Sequence, residues 1–232
     1  MAHLRVRITE MFPRVWRSGM LSAVAFAVLV GPSITRAATH GIPGRRYLSA
    51  QGVQSCGRRC GVERWEIKTL SDPDADRVDF TPVPTTVEAL GALSRPARTP
   101  QLSRVSPVEF TTYQIDAYLG GFRRESDGDV HLILFGMKNQ RASMIAEIPD
   151  PFCSGACASG LSADFAKARA ILDQILAEPN PTDQPIVVRV TGVGFFDRNH
   201  RQIGAAPNII ELHPVLTLER VRPTSTPNYP GR

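Results

Sequence analysis

Three small groups of acidic and imidazole side chains have the types and spacing to do chemistry. Asp127, Asp129 and His131 lie together, Asp197, His200 and Arg201 follow a pair of phenylalanines, and Glu211 and His213 are two positions apart. A spacing of two puts both residues on one face of a strand. Histidine with carboxylate is a ligand set for zinc or another transition metal. It is equally an acid–base pair in which the acid fixes the imidazole tautomer. With Arg123 or Arg201 added, these parts suffice for a metal-assisted hydrolase of the nuclease or phosphodiesterase type, with Asp129, His131, Asp197, His200, Glu211 and His213 as its catalytic candidates. The same pairs also serve as struts, because a strand histidine bonded to a neighbouring acid locks register.

No nucleophile or cofactor motif accompanies them. Thr191-Gly192-Val193-Gly194 lacks the serine of a nucleophile elbow. Neither the P-loop nor the dinucleotide glycine pattern occurs, so these glycines read as points of strand curvature and no cofactor is expected. Tyr118, Phe122 and Phe196, with Arg123 and Arg201, are candidates for a ligand surface on which bases or sugars stack. Phe195 and Phe196 are adjacent, so one of them is expected to face outward.

The four cysteines form two C-x₃-C pairs, Cys56/Cys60 and Cys153/Cys157. Their meaning depends on compartment, and the N-terminus points to export. Five arginines (5, 7, 14, 17 and 36) stand there against Glu10, and Met20–Val30 is an uncharged apolar run ended by Gly31-Pro32. That run is too short to span a bilayer as a helix, which makes residues 1–37 a secretory signal cut after Ala37; an uncleaved anchor is the alternative. No other segment reaches membrane-spanning length. In an oxidising compartment an even cysteine count predicts disulfides, with three pairings open. A Cys₄ zinc site is the rival, and otherwise no metal is expected.

The formal charge of +5 also belongs mostly to the N-terminus, since residues 38–232 carry 22 basic and 21 acidic groups. The mature chain therefore lacks the concentrated basic surface that binding to nucleic-acid phosphates requires.

Periodicity supplies the elements that must position these residues. Residues 38–107 read as an N-terminal arm and linker, with a short strand at 65–70 and a short helix opened by a capping box at Thr85, Thr86 and Glu88. Asp72, Asp74 and Asp76 lack the glycine and closing glutamate of a calcium loop. Residues 108–122 read as a long strand bent at Gly120-Gly121, followed by an Asp-Gly hairpin and strands at 130–135 and 142–148. Leu161, Phe165, Ala168, Leu172, Ile175 and Leu176 make an amphipathic helix, N-capped by Ser159 or Ser162 and stopped by Pro179. Strands at 186–196 and 208–218 follow, with Pro214 at an edge or bulge. Residues 221–232 read as a disordered tail.

Three strands, a helix and two strands are the order of an OB-fold-like five-stranded barrel, of α+β composition, over 108–220. In that arrangement the first strand is expected to pair with the last. Asp127–Leu134, Thr191–Asp197 and Glu211–Leu216, with Trp65–Thr69 and Thr85-Thr86, resemble a family of uncharacterised exported bacterial proteins with an OB-like domain. The resemblance implies export and the fold, and it transfers no catalytic residue. The reading that follows is an exported binding or interaction module, periplasmic or extracellular, with an unknown protein, glycan or nucleic acid as partner. A metal-assisted hydrolase and a structural envelope protein are the alternatives.

Overall fold

In chain order the elements are α1 (Trp65–Lys68), β1 (Asp79–Thr85), α2 (Val87–Gly91), β2 (Thr111–Arg124), β3 (Val130–Gly136), β4 (Ser143–Ile148), α3 (Ser154–Ala158), α4 (Ser162–Ala177), β5 (Val187–Phe196) and β6 (Ile210–Arg220). They come from a computed structural model that describes residues 56–57, 59–180, 184–198 and 202–222. The expected signal sequence, His200, Arg201 and the tail beyond 222 lie outside the described residues.

The apolar alternation closes into a barrel. β2, β3 and β4 form an antiparallel meander, β6 runs parallel to β4 and antiparallel to β5, and β5 pairs antiparallel with β2 to complete the ring. This is a five-stranded OB-type barrel, with α3 and α4 between its third and fourth strands. The expected closure is corrected: the first barrel strand meets the fourth, and the last lies between the third and the fourth. A one-residue shift of pairing face would turn the core outward, so register here also fixes which side chains point away from it.

The core holds Val130, Leu132 and Leu134 of β3, Met144, Ala146 and Ile148 of β4, and Ile210 and Leu212 of β6. Phe165, Ala168, Leu172 and Ile175 of α4 pack against them at helical spacing. Burying each large side chain stabilises by about 1.5–3 kcal/mol. The β2–β3 register slips between Leu119 and Gly121. The Phe135 ring occupies the space that a Cβ on Gly120 would need. Gly128 turns the next hairpin with φ +93°.

Local chemistry departs from expectation in four places. Trp65–Lys68 is a helix, bounded by Arg64 and Leu70 at positive φ of 50° and 55°. The strand of this region is β1, which lies parallel to β2 as a sixth strand outside the ring. At α2 the cap is Thr86, which accepts from the Ala89 amide at 3.1 Å. Glu88 also accepts from the amides of Lys138 and Asn139, at 3.1 and 2.9 Å. At α4 neither serine caps the helix: Leu161 holds the cap position without a side-chain bond, and Ser159 accepts from the Leu161 amide.

Disulfides join Cys56 to Cys157 and Cys60 to Cys153. All four thiols are consumed, which overturns the Cys₄ zinc set and the two local rings. Both bridges fasten the segment before α1 to α3. No helix of the described residues is long and apolar enough to cross a membrane. Both features fit an exported chain.

Candidate functional site

Strand alternation directs one set of side chains to the outer face of the barrel wall. Because the even-numbered residues of β3, β4 and β6 point into the core, His131, Glu147, Glu211 and His213 point out of it. Register then brings them together: His131 is the cross-strand partner of Glu147, and Glu211 faces Ile145 in the parallel β4–β6 pair. The segment carrying α1 covers this face and contributes Lys68. The result is buried, with Asp129, His131, Asp197, Glu211 and His213 at most 3% exposed and Glu147 at 5%.

Within it, acids and bases alternate. His213 Nδ1 lies 2.9 Å from Glu147 Oε2, and its Nε2 lies 3.5 Å from Asp129 Oδ2. Both contacts are ion pairs out of line for a hydrogen bond. His131 Nδ1 sits 3.2 Å from Glu147 Oε1 and 3.4 Å from Glu125 Oε1. Lys68 Nζ is 3.5 Å from Asp197 and 4.0 Å from Glu147. The His213 ring leans on Phe195 at a centroid distance of 5.6 Å, and Phe195 is roofed by Arg64 and Lys68 at 4.7 and 5.3 Å.

Crowding sets the protons. Burial pushes Glu211 well above the usual carboxylate range, with Glu147 and Asp197 adding to it. Glu147 moves the other way: against its burial, His213 and His131 hold it well below that range. Burial alone would lower His213, but Glu147 and Asp129 raise it overall. Burial opposes the charge on Lys68 as well, and Glu147 and Asp197 more than restore it. Asp127 at the rim is raised by partial burial and by Asp129.

The consequence is a pH dependence with a definite sign. Glu211 and His213 both bind protons more tightly folded than unfolded. Their contributions are complete below the unfolded values of 4.5 and 6.5 and are lost as pH rises through the folded ones. Glu147 acts oppositely, and its contribution is lost only as pH falls below 4.5. Urea unfolding in EDTA is therefore expected to show stability declining from pH 5 to 9, by at most about 1.4 kcal/mol per pH unit per group. Glu211→Gln is expected to remove the part of that slope due to Glu211 and to stabilise the protein at pH 8. A flat profile, or a destabilised Gln variant, contradicts a protonated Glu211.

A pocket of about 280 Å³ opens beside this centre, lined by Gly61, Val62, Glu63, Trp65, Lys68, Glu125, Ser126, Asp127, Glu147, Asp197 and Gln202. Five of these are acids and one is a lysine. No family model, curated protein or solved structure matches the chain.

Of the residues singled out from sequence, Asp129, His131, Asp197, Glu211 and His213 do converge, whereas His200 and Arg201 lie outside the described residues. The aromatic surface does not form as expected. Phe196 is 1% exposed and belongs to the core, and Phe195, the outward member of the pair, is itself fully covered. Phe122 packs partly buried against the core, and Tyr118 is half-buried on β2. Arg123 is exposed and paired with Glu125. Glu147 and Lys68, which sequence reasoning passed over, are the centre's hub and its cover. Glu147 had one signal: it is the lone charge of its strand, on the face opposite Met144, Ala146 and Ile148.

A second buried knot holds the cover down. Arg64 donates twice to Glu109, at 2.7 and 2.6 Å, and also to the Phe196 and Ser103 carbonyls. Glu109 further accepts from the Phe196 and Val105 amides. Arg104 forms a similar buried pair with Asp72, which accounts for that acid without calcium.

Proposed function

We propose that the chain is an exported binding module, periplasmic or extracellular, whose pocket beside Lys68 and Glu147 takes a basic side chain of an extracytoplasmic protein. The observation that carries this reading is the pocket's lining of five carboxyl residues around a single lysine. Such a wall draws in a lysine or arginine and repels phosphate. A volume of about 280 Å³ suits one long side chain rather than a polymer. Among proteins, glycans and nucleic acids, that charge favours protein. Trp65 reports occupancy, because it lines the pocket.

Titration of Trp65 fluorescence with an amidated lysine- or arginine-containing tripeptide tests the reading. Binding is expected to weaken with added salt and to fall several-fold in Asp127→Asn. Equal binding of an acidic tripeptide, or preferential binding of an oligonucleotide or oligosaccharide, would discard it. A second reading, a metal-assisted hydrolase, is favoured by the convergence of Asp129, Glu147 and His213. It needs an ion at that point.

A further inference from the structure

The geometry points to a divalent transition-metal site of the zinc class formed by Asp129, Glu147 and His213. One oxygen from each carboxylate and one ring nitrogen lie within 4.8 Å of one another, and all three residues are buried. Bonds of about 2.0–2.1 Å to a tetrahedral ion place its ligand atoms roughly 3.4 Å apart. His213 would bind such an ion through one ring nitrogen; its Nε2 lies 3.5 Å from Asp129 Oδ2, close to that spacing. Small side-chain rotations complete the set. One imidazole and two carboxylates, without sulfur, suit zinc and its neighbours in the first row.

A separate observation points to a missing ligand. Asp129 Oδ2 and both His213 ring nitrogens are fully enclosed and have no hydrogen-bond partner. Enclosed polar atoms in that state are rare and costly, and a metal ion would satisfy the Asp129 oxygen and one of the two ring nitrogens. The opposite oxygens are already held. Asp129 Oδ1 accepts from the Asp150 amide at 2.9 Å, and Glu147 Oε1 faces His131, which in turn faces Glu125. Outer partners of this kind orient metal ligands. The acidic pocket reaches Glu147 and provides the route from solvent. Three protein ligands leave a fourth position, as in catalytic rather than structural zinc sites. The site would supply the ion that the hydrolase reading needs, and it is independent of the basic-side-chain reading.

The test uses the full, untagged chain with its disulfides intact, stripped with EDTA and dialysed against Zn²⁺ or Co²⁺. One equivalent is expected to remain. X-ray absorption of the zinc form is expected to show only nitrogen and oxygen at about 2.0–2.1 Å, with imidazole scattering. His213→Gln and Asp129→Asn are expected to bind at least tenfold more weakly, whereas Asp116→Asn, in a surface pair with Arg189, leaves affinity unchanged. Absence of stoichiometric metal, sulfur in the first shell, or wild-type affinity in His213→Gln overturns the site. Where the variants do not fold, the wild-type stoichiometry and X-ray spectrum decide alone. Loss of the metal site would leave the tripeptide titration standing, and failure of that titration would leave the metal result standing.

Discussion

Replacing Glu109 with Ala is expected to lower stability by about 3–5 kcal/mol, because it strands a buried guanidinium cation. Arg64 and Glu109 side chains are 1% and 0% exposed, and each makes further bonds to backbone. At about 2–4 °C per kcal/mol for a chain of this size, the melting temperature should fall by roughly 6–20 °C. Glu109 also satisfies the amides of Phe196 and Val105, so truncation orphans one buried and one partly buried donor as well. The damage is expected to be smaller in an Arg64→Met/Glu109→Met double variant, since a paired charge replaced by apolar groups is often tolerated. A double variant worse than the sum of its singles, or a Glu109→Ala loss below about 1 kcal/mol, refutes this account of the knot.

Loss of both disulfides is expected to have an effect at least as large, and the two bridges should be strongly non-additive. Each closes a long loop, with sequence separations of 101 and 93. With one in place, however, the other closes a ring of only about ten residues. In the chain-entropy account, losing either costs about 2.5–3 kcal/mol and losing both roughly 7 kcal/mol. The second figure rivals the entire stability of an ordinary domain. Cys60→Ser/Cys153→Ser should therefore remain folded, and the fourfold serine variant should release the cover, with a red shift of Trp65 emission as its indole meets water. Peptide mapping of the native protein should recover the 56–157 and 60–153 links. Links of 56–60 and 153–157, or equal stability of the single- and double-bridge variants, would contradict the arrangement.

The barrel was legible because it rests on alternation, a local signal. Val130, Leu132 and Leu134 against His131 and Ile133 announce a strand whatever lies beside it, and the helical spacing of Phe165, Ala168, Leu172 and Ile175 is as clear. Short segments were less legible. Trp-Glu-Ile-Lys-Thr-Leu alternates like a strand over six residues, yet α1 forms because Trp65 and Ile67 dock on the barrel and Arg64 reaches Glu109. β1 was hidden by its two prolines. At the site, spacing identified Asp129, His131, Glu211 and His213, but Glu147 meets His131 through the β3–β4 pairing and the β6 residues through the parallel β4–β6 pair, which no local pattern encodes. The covered state of Phe195 depends likewise on a cover folded from residues over a hundred positions away.

One further property follows from the strand that stands outside the ring. Closure leaves the barrel strands without an open side, so among the described residues β1 offers the free rim of the sheet. Its sequence is Asp-Phe-Thr-Pro-Val-Pro-Thr, and Pro82 and Pro84 have no amide hydrogen. A second chain aligning there finds too few donors to extend the ladder. The rim is thereby protected against self-association into fibrillar aggregates at high concentration.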